Sequence, residues 1–220
     1  MQTQSKRRAN TKVIAPPPRA SQRDRKRAAI ITAAKEMFFA QGYAGASMDQ
    51  ITARSGVSKA TVYAHFGSKG DLLLAVVEDV IQGMRAAAAT DLPHQDDFRQ
   101  WLTQFGRLGF RQFTSPAAIA LQRIAIAEAE RFPEIAQAFR QTGADTVLAA
   151  LVRPTFDAAI AKGVLRKCDA RLAISHFFEM CVGKTLRDVL MGLSPPPGAR
   201  EIETQVERSV EAFLHGYAAK

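Results

Sequence analysis

The run Gly56-Val57-Ser58-Lys59-Ala60-Thr61-Val62-Tyr63-Ala64-His65-Phe66-Gly67-Ser68-Lys69 constrains the fold more than any other part of the chain. It predicts a turn, a short helix, and the entry to a further helix. Upstream, Ser47-Met48-Asp49-Gln50 carries a capping-box pattern, with Ser47 as N-cap and Gln50 placed to reach back to it. The helix it opens turns Met48 and Ile51 inward, with Thr52 beside them, and ends before Gly56. A glycine there supplies the positive φ that a three- to four-residue turn between two helices requires. Ser58 then caps the second helix through its hydroxyl. Val62 faces inward and Phe66 lies just past the helix end. Lys59, Ala60, Thr61, Tyr63 and His65 are left on other faces, among which a groove-facing surface must lie.

Helices this short are marginal alone, so a third has to hold them. From Asp24 to Gln41, Ile30, Ala33, Ala34, Met37 and Phe38 recur at spacings of three and four. That is one face of an amphipathic helix, stopped by Gly42. Three core helices of an all-α enzyme would show the same periodicity. The glycine-turned pair followed by Ser68-Lys69 favours a DNA-binding helix-turn-helix.

The segment Ile30 to Leu73 resembles the N-terminal domain of TetR-type transcriptional repressors. The run Ile30-x-x-Ala33-Ala34-x-x-Met37-Phe38-x-x-x-Gly42-Tyr43 is similar to that family's first helix. Thr61-x-Tyr63-x-His65-Phe66 with Ser68-Lys69 is similar to its recognition helix and the start of its fourth helix. Thr52 departs from the pattern, since the family has a small Ala between the two helices there. The resemblance implies phosphate contacts from Ser47, Tyr63, His65 and Lys69. It places Ser58, Lys59, Ala60 and Thr61 at the start of the reading helix. From there Lys59 reaches guanine O6/N7 and the Ala60 methyl meets a thymine methyl.

Charge points the same way through its placement. Of the formal net charge of +9, residues 1–27 carry +8, from nine Lys/Arg and the single acid Asp24. The remaining chain is close to neutral. A basic arm ahead of a helix-turn-helix suits phosphates or a minor groove, with affinity that falls as salt rises. A solvated leader is the alternative, more so for residues 1–20 than for Arg23, Arg25, Lys26 and Arg27. The arm is poor in large apolar residues and holds Pro16-Pro17-Pro18, so no packed structure is expected in residues 1–22. No apolar run follows it as in a secretory signal, and none is long enough to span a membrane. A cytoplasmic protein is expected.

Residues 23–70 then form the DNA-binding domain, and 71–220 are long enough for a second domain. Ten of the thirteen Phe lie beyond position 90, with the only Trp, Trp101. Helical periodicity dominates. A linking helix runs from Asp71 to Ala88, broken at Leu92-Pro93-His94. A second carries Phe98, Leu102, Phe105 and Leu108, and Ser115-Pro116 caps a third. Arg131-Phe132-Pro133-Glu134 marks a new start, similar to that of a subgroup of TetR-type C-terminal domains. The long helix that follows, to about Ala161, should kink or divide at Pro154 and end at Gly163. Further helices span Asp169 to Leu190 and, after Ser194-Pro195-Pro196-Pro197-Gly198, Ile202 to Tyr217. The fold expected is all-α, with about nine helices.

The resemblance also implies an effector pocket and a dimer interface in the second domain, with the last two helices pairing as a four-helix bundle. Phe-rich helices with small residues can enclose an apolar cavity, although core packing accounts for such Phe residues equally. The candidates are Trp101, Phe105, Phe113, Arg123, Phe139, His176 and Phe177, and composition favours an apolar or amphipathic molecule. Cys168 and Cys181 lack metal-site spacing, and His65, His94, His176 and His215 are scattered. No metal site, cofactor or catalytic constellation emerges, and either thiol stays open as a redox sensor. The reading is a homodimeric, ligand-responsive repressor on a palindromic operator, with activation also open. An all-α enzyme or ligand-binding protein and a non-specific architectural DNA binder are the alternatives.

Overall fold

The computed structural model describes residues 21–92, 97–133, 135, 136, 139 and 144–219, with backbone alone at 91 and 144–150. Among the described residues nine helices are bounded and no strand is present. They are α1 (Gln22–Gly45), α2 (Met48–Ser55), α3 (Lys59–His65), α4 (Lys69–Asp91) and α5 (Phe98–Phe113). α6 (Pro116–Glu128), α7 (Ala144–Ala161), α8 (Ala170–Leu190) and α9 (Ala199–Tyr217) follow.

Most boundaries follow from caps. Ser47, Ser58, Ser68 and Ser115 each accept a backbone N–H from the third residue on, opening α2, α3, α4 and α6. Asp97 and Asp169 do the same for α5 and α8 through two N–H groups each. Gly42 does break α1, with φ 71° and ψ 175°, but one further helical turn follows to Gly45. The Glu134 start of the long helix lies outside the described residues. Pro154 does not divide α7. A proline fits the helical φ and removes a single hydrogen bond, and the turns on either side are anchored in the core by Val152, Phe156 and Ala159.

Two cores form. The first holds Ile30, Ala34 and Phe38 of α1, Ile51 of α2, Val62 of α3, and Leu72, Leu73 and Val76 of α4. It extends across the chain to Leu121 and Ile124 of α6 and to Ile135. The second joins α5, α7, α8 and α9 through Trp101, Phe105, Phe156, Phe177 and Phe213. Gly106 lets the helices approach closely there. A Cβ at Gly106 would stand 2.8 Å from a methyl of Val206 and 3.1 Å from the Phe177 ring. Leu165 and Ala218 form an isolated antiparallel bridge that ties the chain after α9 to the turn after α7.

Candidate nucleic-acid interface

The turn between α2 and α3 forms as its sequence requires. Gly56 takes φ 67° and ψ 15°, a left-handed conformation that closes α2. Ser47 and Gln50 make both bonds of the capping box, at 3.2 Å and 3.0 Å. Ile51 and Val62 are fully buried and fix the pair against α1. The Thr52 hydroxyl donates to the Met48 carbonyl at 2.7 Å, so its polar atom is satisfied within α2.

What α3 leaves outside is an exposed, largely polar edge. Lys59, Ala60, Tyr63 and Ala64 are exposed, and Thr61 and His65 are half-buried. The Ser58 hydroxyl accepts the Thr61 N–H at 3.3 Å and lies 2.8 Å from the Thr61 hydroxyl. Tyr63 is 44% exposed, and its hydroxyl meets no hydrogen-bond partner among the described residues. The Lys59 ammonium sits 2.7 Å from the Asp49 carboxylate, which holds its pKa above the usual lysine value. Lys69 turns inward instead. Its ammonium donates to the carbonyls of Tyr43 at 2.8 Å and Ala46 at 2.9 Å and lies over the Tyr43 ring. It therefore closes the carbonyl end of α1, and one of its three N–H groups remains.

Further ion pairs hold the domain together. Arg54 of α2 bonds Glu36 of α1 at 2.6 Å, and Lys35 of α1 pairs with Asp79 of α4. The first turns of α1, with Arg23, Arg25, Lys26 and Arg27, are exposed. The Arg27 guanidinium lies 5.5 Å from the centre of the Phe66 ring, so this basic start flanks the end of α3. Ser21 and Asp24 cap it reciprocally, and these bonds hold the Asp24 carboxyl below its usual range. Asp49 is the residue of this face that sequence reading leaves aside. An acid in a helix's first turn is already explained by the helix dipole, which hides its second partner ten residues on.

The seven candidate effector residues do not gather at one place, although three of them meet. Trp101, Phe105 and Phe177 stack in the second core, with ring centres 5.4 Å and 5.8 Å apart. Phe113 packs edge-on to Phe178 at 4.4 Å. Phe139 lies against the first core. Arg123 donates to the carbonyls of Val189 and Leu190 at 2.8 Å and 3.1 Å, closing the end of α8. His176 bonds the Tyr217 hydroxyl at 2.6 Å. A half-open groove of about 310 Å³ between α5, α8 and α9 contains none of the seven. Among the described residues, no helix is long and apolar enough to cross a membrane. Nor does any group of three or more His, Cys, Asp or Glu among them offer a metal site.

Residues 30–76 match the family model of "bacterial regulatory proteins, tetR family". Residues 100–219, more than half of the chain, match that of the "AefR-like transcriptional repressor, C-terminal domain". The chain belongs to the TetR family of transcriptional regulators. It is a DNA-binding regulator and not an enzyme. Among TetR-family structures, a Mesorhizobium loti protein assigned to the family superposes with a TM-score of 0.80 at 28% identity. That match covers 91% of this chain and 100% of the other. The flavonoid-responsive regulator FrrA gives a TM-score of 0.72 at 29% identity over 88% of this chain and 97% of its own. The transcriptional activator FasR of Mycolicibacterium smegmatis is 39% identical over 87 residues. That match spans only 38% of this chain and 40% of FasR.

Proposed function

We propose that this TetR-family regulator is a cytoplasmic homodimeric repressor, released from a palindromic operator by a small apolar or amphipathic effector. The observation that carries the DNA half is the edge of α3. In this reading Lys59, Ala60 and Thr61 meet base edges and Ser47, Tyr63 and His65 bind phosphates, and the exposure of Lys59, Ala60 and Tyr63 supports it. The last N–H of Lys69 serves one more phosphate. One such helix reads only a few base pairs, whereas two related by a two-fold axis read a palindrome at a spacing of about 34–36 Å.

Exposed Leu172 and Met180 on α8 support pairing through the last two helices, since water disfavours large apolar side chains left bare. Support for repression comes from the "AefR-like transcriptional repressor" match to residues 100–219. The name of FrrA, a flavonoid-responsive regulator, supports an amphipathic effector of aromatic character. α6 supplies the link between effector and DNA. Its Leu121 and Ile124 pack in the core of α1 and α4, while its Arg123 holds the end of α8. A shift of α6 against α8 therefore tilts α4 and changes the distance between the two reading helices.

Selection of bound sequences from random duplexes, followed by footprinting on the DNA beside the chain's own gene, tests the operator reading. A palindrome is the expected product, and uniform binding to all sequences would overturn it. Hundredfold release by effector corresponds to about 2.7 kcal/mol of coupling. Operator must then weaken effector affinity by the same factor, and calorimetry with and without operator measures it.

A further inference from the structure

The ion pair between Lys59 and Asp49 places a carboxylate on the surface that approaches DNA. Lys59 opens α3 and Asp49 lies in the first turn of α2, with side chains 62% and 70% exposed. A carboxylate there repels phosphates, so it lowers affinity for any duplex in which it meets no donor. Helix capping does not account for it. The capping box of α2 is closed by Ser47 and Gln50, and a dipole partner needs no lysine beside it.

Major-groove chemistry offers this pair a match. Guanine presents two acceptors, N7 and O6, and cytosine presents the N4 amino donor. In a G·C pair, O6 and N4 are themselves hydrogen-bonded, hence about 2.9 Å apart. The Lys59 nitrogen and Asp49 oxygen stand 2.7 Å apart. An ammonium and a carboxylate at that spacing present a donor and an acceptor side by side, in the order that the groove edge of G·C requires. An A·T pair offers its adenine amino group to the carboxylate. Opposite the ammonium, though, it has the single acceptor of thymine next to a methyl group.

We propose that Asp49 is a specificity-determining residue, and that Lys59 and Asp49 together read one G·C pair in each half-site. The ammonium takes guanine O6/N7 and the carboxylate takes cytosine N4. This rests on the reading of α3 as the base-reading helix. In complexes with other sequences Asp49 keeps Lys59 tied back, so that lysine adds no phosphate contact and non-specific binding stays weak.

The test is selection of bound duplexes by the full chain and by Asp49→Ala, Asp49→Asn and Lys59→Met, with affinities for the selected site and a random duplex over a salt series. The wild-type chain is expected to select G·C at one symmetric position. Asp49→Ala should lose that preference by about tenfold. It should also bind random duplex more tightly, with a log–log salt slope steeper by about 0.9 per protomer as Lys59 finds a phosphate. Asp49→Asn, which keeps the side chain's shape, should shift the preference at that position toward adenine, the base that an amide recognises. Lys59→Met should lose guanine there. If Asp49→Ala selects the same site with the same slope, the ion pair only joins α2 to α3 and the proposal falls. Selection of A·T by the wild-type chain overturns it as well. A wild-type chain that selects no sequence at all removes the operator reading itself, a result distinct from either.

Discussion

The core under the DNA-reading helices and the core of the second domain share capped helices and ion pairs between helices, and differ in what fills them. In the first, short helices are set by side chains bonding backbone three residues away, at Ser47, Ser58 and Ser68. Ion pairs such as Arg54 with Glu36 then bridge neighbouring helices. In the second, rings from three helices form one continuous chain of stacked and edge-on contacts. Trp101 meets Phe105, Phe105 meets Phe177, Phe177 meets Phe213, and Phe213 lies 4.5 Å from Tyr217. Short-range bonding suits a domain that must present fixed polar groups to a duplex. Rings that interlock bury a large apolar area and hold helices from distant parts of the chain in one core.

The largest effect should come from this ring chain. Phe177→Ala removes a fully buried ring at its centre and should cost about 3–5 kcal/mol in denaturant unfolding. A loss below about 1 kcal/mol would mean the rings are not what holds the second core. Tyr63→Ala should do the reverse. Operator affinity should fall by about 1–3 kcal/mol, because a charge-assisted bond to phosphate and the packing of the ring are removed, with melting unchanged. Unaltered affinity in the folded variant would remove Tyr63 from the interface.

Ser58→Ala separates capping from DNA binding. Without the bond to the Thr61 N–H, stability should fall by about 1 kcal/mol. If stability does not change, the cap is not what orders α3. Removing residues 1–20 should leave melting unaltered while lowering the log–log salt slope of operator binding by about 0.9 for each phosphate that the arm had neutralised. The same slope in the shortened chain would make the arm a solubilising leader.

The smallest effect concerns the thiols. Burial pushes the Cys181 thiol up to about 12, with the Ser209 hydroxyl pulling slightly the other way. At pH 8 it is protonated and enclosed, so a thiol reagent should label only half-buried Cys168 until the chain unfolds. The burial stabilises fully below the usual cysteine range and is lost as pH rises toward about 12, so thiol ionisation should not alter stability between pH 5 and 8. Rapid labelling of both thiols in the native chain would show that the second core opens near Cys181.

The contrast between the two cores also explains how legible each was. Ser47 with Gln50, Gly56 and Ser58 lie within a few residues of their partners, and Ile51 and Val62 are the inward positions of their own short helices, so their roles follow from local spacing. The face of α3 was legible for that reason. Asp49 was not, because its pairing with Lys59 depends on how α2 crosses α3. The reach of the first core into α6, through Leu121 and Ile124, has no local signal either. Phe-rich helices alone do not say whether Trp101, Phe105 and Phe177 line a cavity or fill one. In this fold they stack on one another.

The sequence by itself determined where most helices begin, that the turn after α2 needs Gly56, and that the charge gathers at the start of the chain. Capping bonds, glycine conformations and charge counts depend on residues close together along the chain, so local spacing is enough to read them. Only the tertiary structure decided that Lys69 closes the end of α1 through Tyr43 and Ala46. It also decided that Arg123 holds the end of α8 from 66 residues away, and that His176 finds Tyr217. Such bonds form only once packing has brought distant segments together, because a long polar side chain bonds whichever unsatisfied carbonyl or hydroxyl the fold places within its reach.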